Sequence, residues 1–312
     1  MTAGPSATSP GSGGSGRFSH DGLFWRRLAR LGAAHGPRWF VEHSPSIIGV
    51  AAALALPSAR RAVKLNLRRI RGTVSPVREA REVLATFANY AGCLAEVLSY
   101  DSKNEGLPDL SVRGRDNLDQ ALAAGKGAVM VTAHTAGWEL AGPIFRRNHG
   151  IDMVMVMEAE RDDGARELHD RARRATGVEV FHVGADPLAA LPLLHMLRRG
   201  AALALQIDRV PPGMRGVPVR LLGERHIVPE GPLRLAELSG APIIPIFCAR
   251  LGYRSYVTEI FDPVVVSRRP SPAVKEAVAQ RLADAMAAFV TRYPTQWFDF
   301  GLTSRSRASE RP

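Results

Sequence analysis

From Gly106-Leu-Pro onward the chain alternates short apolar runs with segments of helical period, and this alternation constrains its fold more than any other feature. Strands are predicted at Ala128–Thr132, Met153–Met157, Val178–Val183, Ala202–Ile207, Val217–Leu222, Ile243–Ala249 and Ser255–Ile260. Helices are predicted at Glu139–Asn148, Arg166–Thr176, Leu188–Arg199 and Pro232–Ser239. A long helix follows at Pro272–Tyr293, with Val274, Val278, Leu282, Met286 and Phe289 on one stripe. Such alternation predicts an α/β fold with a central, mostly parallel sheet flanked by helices. Functional groups on sheets of this kind gather at strand carboxyl ends, where His134 and Asp208 both fall.

The first third reads differently. Residues 1–16 are rich in Gly, Ser, Thr and Pro and read as a disordered tail, with no basic and apolar leader of the cleaved type. From Phe24 to Tyr100 the period is helical. The apolar run Ile47–Leu56 is about half of the roughly 20 residues a spanning helix needs. In Ser58–Arg71, the residues Arg60, Arg61, Lys64, Arg68 and Arg71 share an arc of roughly 100° beside Val63, Leu67 and Ile70. An apolar run joined to a basic amphipathic segment suits a helix lying on an anionic membrane surface. The alternative is a solvated basic face. Around Glu79–Tyr100, the side chains of Val83, Phe87, Tyr90, Leu94 and Val97 form a stripe suited to core packing. The expected organisation is a tail at 1–20, a helical membrane-associating region at 21–105, an α/β domain at 106–300 and a basic tail at 301–312.

Charge and composition exclude several classes. The formal net charge of +11 calls for an anionic partner: a membrane surface, an acidic carrier or substrate, or nucleic acid. Nucleic acid is disfavoured, because only 6% of residues are aromatic, they do not interleave with the basic ones, and no binding motif occurs. Two cysteines, Cys93 and Cys248, form neither a disulfide framework nor a metal cluster. No H-E-x-x-H, C-x-x-C, G-x-S-x-G or P-loop pattern is present, so no metal or other cofactor is expected and serine hydrolase and NTPase readings weaken.

The chemistry concentrates in Ala128-Val-Met-Val-Thr-Ala-His134-Thr-Ala-Gly-Trp-Glu139. In one continuous helix, residues five apart lie about 140° apart and do not face each other. With His134 in a strand-to-helix turn and Gly137 bending the chain, Glu139 can swing back to the imidazole. It would then fix the tautomer and balance the imidazolium while His134 acts as general base. The plainer readings are a structural histidine and a carboxylate favouring a helix N-terminus.

His134-x4-Glu139 resembles the H-x4-D/E motif of glycerolipid and lysophospholipid acyltransferases. Its surroundings are similar to the bacterial lipid A lauroyl/myristoyl acyltransferase family, which includes phosphatidylinositol mannoside acyltransferases. Four further segments follow in family order. Met157-Glu-Ala-Glu-Arg161 supplies Arg161 as the basic residue, without the Arg-Pro pair of the lipid A branch. Gln206-Ile-Asp-Arg209 resembles the family's acidic turn, followed by Val217-Pro-Val-Arg-Leu-Leu-Gly223 with Leu222 where the family has Phe. Val228-Pro-Glu-Gly-Pro-Leu-Arg-Leu-Ala236 resembles the family's Pro-x-Gly-Pro helix start, and Tyr293-Pro-Thr-Gln-Trp297 its ending.

The resemblance implies a glycerolipid-acyltransferase-like α/β fold at the cytoplasmic face of the inner (plasma) membrane. It also implies fatty acyl transfer from an acyl carrier protein or coenzyme A thioester to a hydroxyl of a glycolipid or similar amphiphile. His134 and Glu139 would be catalytic. Arg161, Asp208, Arg209, Gly223, Glu230 and Gly231 would line the substrate site. Amides around Gly137–Trp138 or the Arg209 guanidinium would receive the oxyanion. A thioesterase using the same pair, with water as acceptor, is the alternative.

Overall fold

A computed structural model describes residues 37–99, 108–123, 125–137, 142, 145–146, 150–151, 153–158, 179–183, 190–211 and 213–301. Three helices come first: α1 (Arg38–Ala55), α2 (Pro57–Arg71) and α3 (Pro76–Ser99). The α/β part follows in the order β1 (Asp109–Arg113), α4 (Arg115–Leu122), β2 (Ala128–Thr132), β3 (Met153–Glu158), β4 (Glu179–Val183), α5 (Ala190–Arg198) and β5 (Ala202–Gln206). It continues with β6 (Gly216–Leu221), β7 (Glu224–Pro229), α6 (Gly231–Ser239), β8 (Ile243–Gly252), β9 (Ser255–Ile260) and α7 (Pro272–Arg292), closed by a 3-10 turn at Pro294–Gln296.

Seven strands form one sheet in the order β1-β9-β8-β2-β5-β3-β4, parallel at every pairing except β8 with β9. The fold is therefore the α/β class expected from the alternation. Both sheet faces are covered, which is why the central strands are nearly continuous apolar runs. Val129, Val131, Leu203 and Phe247 join Leu197 of α5, Leu233 of α6 and Leu282, Met286 and Phe289 of α7. On the opposite face Met130, Ala202, Ile244 and Cys248 pack with Leu118 of α4 and with Phe145.

Several local expectations need correction. β1 was not anticipated: an edge strand of sequence Asp-Leu-Ser-Val-Arg carries little apolar signal. β7 was also missed, because Glu224, Arg225 and His226 mask it. It forms a separate hairpin with β6, and Leu222 belongs to the turn rather than to the strand. Leu222 and Gly223 both have positive φ, 53° and 81°, as the tight hairpin twist requires. A leucine there costs about 1–2 kcal/mol in backbone strain, which its packing against the main core offsets. The predicted helix at Arg166–Thr176 lies outside the described residues, as does that at Glu139–Asn148 except for helical Gly142, Phe145 and Arg146.

The N-terminal helices pack on one another through Ala53, Val63, Leu67, Val83 and Phe87. The basic arc of α2 stays at the surface, with Arg61, Arg68 and Arg71 exposed, but most of its cations are engaged by the neighbouring helices. Lys64 and Arg68 both pair with Glu79 of α3, Arg71 pairs with Glu82, and Arg60 donates to the Ala53 and Leu54 carbonyls that end α1. Arg68 and Lys64 hold the Glu79 carboxyl below its ordinary range. Tyr90, expected in the core stripe, is exposed at one edge and meets Phe298 and Phe300 edge to face. α1 carries an exposed apolar stripe, where Phe40, Ile47 and Leu54 share a face and Ile47 and Leu54 are 69% and 67% exposed. Among the described residues, no single helix is long and apolar enough to cross a membrane; α1 and α2 meet at 101°.

Candidate active site

Strands β2 and β5 are parallel neighbours, with Thr132 opposite Gln206. The ladder runs one step further, the Ile207 N–H donating to the Thr132 carbonyl at 2.8 Å. Two residues past each paired end, both chains present a polar side chain: His134 after β2 and Asp208 after β5. Register alone brings them together, and Nδ1 of His134 lies 2.8 Å and 3.1 Å from the two Asp208 carboxylate oxygens.

The local backbone turns His134 outward. The Thr135 N–H donates to the Ala133 carbonyl at 2.7 Å, closing a three-residue γ-turn with His134 at its apex. Gly137, at φ 72°, then bends the chain. A Cβ there would sit 2.5 Å from the Tyr256 ring, so this position needs glycine for both conformation and space. The ring is itself fixed: Tyr256 Oη donates to Glu96 at 2.8 Å, and Glu96 also accepts from Arg250 at 2.8 Å.

Asp208 is 3% exposed, whereas the His134 side chain is 30% exposed. The carboxylate is thus the inner member and the imidazole the outer one. Burial pushes the Asp208 pKa up, but the His134 charge and hydrogen bond, then Arg209 and the Trp297 indole, outweigh it and hold the group well below the usual carboxylate range. Trp297 Nε1 donates to Asp208 at 3.2 Å, and an Arg209 guanidinium nitrogen lies 3.8 Å away. Ionised Asp208 accepting from Nδ1–H makes Nε2 the basic nitrogen.

The structure therefore brings His134, Asp208 and Arg209 into one cluster. Glu139 and Arg161 lie outside the described residues. The carboxylate seen against the imidazole is Asp208, whereas the sequence reading assigned Glu139 to that role. Gly223 sits in the β6–β7 turn. Glu230 forms ion pairs with Arg234 and Lys275 at 2.9 Å and 3.5 Å, and Gly231 opens α6.

Two contributors carried no role in the sequence reading. Trp297 was visible only as a motif letter near the chain's end. His226 stood among histidines without ligand spacing; it pairs with Val219 across the hairpin, and the Asp208 charge acts on its ring. Burial lowers its pKa, so its neutral form is favoured. Cys93 and Cys248 are buried, and desolvation pushes their thiols up to about 12 and about 11, which leaves them inert at neutral pH.

Fold and site together define an α/β protein with a histidine–aspartate pair at the carboxyl edge of a mostly parallel sheet. Residues 25–301 match the model of the bacterial lipid A biosynthesis acyltransferases, and the chain belongs to that family. It is similar to a phosphatidylinositol mannoside acyltransferase of Mycobacterium tuberculosis strain H37Rv, 29% identical over 190 residues, 61% of this chain and 58% of that protein. The chain thus spans less than two thirds of that relative's length in the match. It is also similar to the Mycolicibacterium smegmatis protein of the same name, 28% identical over 218 residues, 69% of each chain.

Proposed function

We infer that this protein transfers a fatty acyl group from a thioester to a hydroxyl of a glycolipid at an anionic membrane surface. The observation that carries this reading is the His134–Asp208 pair at 2.8 Å, half-open to solvent on the imidazole side, in a chain of this family. Nε2 of His134 takes the acceptor hydroxyl proton, and the oxygen attacks the thioester carbonyl carbon. The C–S bond breaks, the new ester forms, and the leaving sulfur takes the proton back from the imidazolium. Asp208 holds the tautomer and balances the transient charge. Direct attack needs no acyl-enzyme, in keeping with the inert thiols. Arg209, beside Asp208, is the described group best suited to stabilise the oxyanion.

Thioesters of coenzyme A and of acyl carrier protein are both anionic and suit a chain of charge +11. The names of the relatives make a mannosylated phosphoinositide the first acceptor to try. Membrane contact is assigned to the exposed face of α1, with Lys64 and Arg68 of α2 engaged by Glu79.

The test uses the purified chain with radiolabelled palmitoyl thioester, on coenzyme A and on carrier protein, in vesicles containing mannosylated phosphoinositide. Label in the glycolipid with wild type, lost in His134→Ala, is the expected result. Label released only as free acid, equally with and without lipid, would establish a thioesterase instead.

A further inference from the structure

The segment that closes the site, Gln296 to Phe300, changes its attachment residue by residue. The Gln296 side chain pairs with both backbone groups of Arg250 in β8, at 3.2 Å and 3.1 Å. Trp297 turns to the Asp208 carboxylate. The Phe298 N–H donates to the His134 carbonyl at 2.7 Å, so this segment holds both members of the pair. Asp299 turns the other way. Asn66 Nδ2, on α2, donates to its carbonyl at 3.0 Å and reaches its carboxylate at 3.4 Å. Phe300 then packs on Phe87 at 4.9 Å and joins the cluster of Ala53, Val63, Leu67, Val83 and Phe87 that unites the N-terminal helices.

Asn66 is the unusual member of α2. It is 3% exposed and lies beside Val63 and Leu67 on the buried face. Asparagine is a mediocre helix former, and a buried amide costs stability unless its hydrogen bonds are made. The amide is therefore tied to what it bonds, and that includes Asp299, in the segment that follows Trp297. The same helix reaches the site by a second route. Arg69 pairs with Glu224 of the hairpin, two residues before His226, whose ring feels the Asp208 charge.

We propose that Asn66 is a positioning residue: through Asp299 it fixes the Trp297–Phe300 strap, and the strap fixes the His134–Asp208 geometry. The packing of the N-terminal helices then sets the competence of the site. This rests on the acyl-transfer reading for its kinetic consequence but not for its structural one.

Asn66→Leu tests the idea, because leucine fills the buried position without the amide. Hydrogen exchange is followed at the Phe298 amide, the Trp297 indole N–H and the amides of β2 and β5, alongside kcat and KM for the thioester. Exchange at Phe298 and Trp297 is expected to quicken about tenfold, the loss of roughly one hydrogen bond's worth of local stability, with β2 and β5 unchanged. A displacement of the pair should lower kcat about tenfold with KM little altered. Unchanged exchange at Phe298 and Trp297 would overturn the proposal, and so would faster exchange at both with kcat intact. Equal loss of protection across β2 and β5 would reduce Asn66 to a general stabiliser. If exchange quickens as expected but wild type transfers acyl groups to no acceptor, the strap stands and the acyl-transfer reading falls.

Discussion

His134 and Asp208 occupy equivalent positions two residues beyond the paired ends of adjacent parallel strands, and this register sets their 2.8 Å contact. Neither depends on a long flexible side chain to reach the other. Asp208→Asn keeps the shape of the pair while removing the charge that orients and balances the imidazole. Its kcat is expected to fall about 10²–10⁴-fold, with KM for the thioester little changed. Steady-state kinetics with acyl-coenzyme A would show it. A fall in kcat/KM carried wholly by KM would assign Asp208 to substrate binding instead.

Gly137 and Tyr256 form the second contact on which the site depends. Gly137→Ala adds a Cβ 2.5 Å from the ring and puts a non-glycine residue at φ 72°. Stability is expected to drop by about 2 kcal/mol or more, measured by urea unfolding, together with loss of activity. Tyr256→Ala empties the space the new methyl needs. The double variant should therefore lose less than the two single losses combined, a coupling a double-mutant cycle reads directly. Strict additivity would mean that the ring does not constrain the turn.

The parts of this molecule that the sequence revealed are those with a local signal. Apolar runs marked the central strands, because a sheet covered on both faces needs them, and the 3.6-residue period of α7 was plain from Val278 to Phe289. Asp208 as a partner of His134 was a different matter. Glu139 lay nearby in sequence, whereas Asp208 is 74 residues away and is brought close only by strand order. Both were noticed, but spacing within one chain says nothing of which strands are neighbours. Trp297 and His226 were illegible for the same reason. Likewise the ion pairs of the α2 basic arc were illegible because its partners, Glu79 and Glu82, belong to the next helix.

Those ion pairs yield a prediction about membranes. Ile47→Asp with Leu54→Asp places two charges on the exposed face of α1 without touching a buried contact. Affinity for vesicles of anionic phospholipid is expected to fall at least about tenfold, while the thermal midpoint moves little. Arg68→Ala should behave in the opposite way. It removes a partner of Glu79 and so lowers the thermal midpoint, with vesicle affinity largely kept. Sedimentation with vesicles and a thermal melt separate the two. Binding that follows Arg68 rather than Ile47 and Leu54 would return the membrane face to α2.

The depressed pKa of Asp208 fixes the sign of a pH effect. Its folded value lies below the ordinary carboxylate value of about 3.9, so ionisation favours the folded state. That stabilisation is fully present above the unfolded value and is lost as pH falls from there toward the folded value. Asp208→Asn carries no such group. The stability difference between wild type and Asp208→Asn should therefore shift against wild type as pH is lowered from about 5 toward 2, the window in which an unfolded aspartate takes up its proton. Urea unfolding of both proteins at matched ionic strength measures it. A difference that stays flat across that window would mean that Asp208 is not held ionised by His134, Arg209 and Trp297. The imidazole would then lack the fixed counter-charge that the proposed mechanism requires.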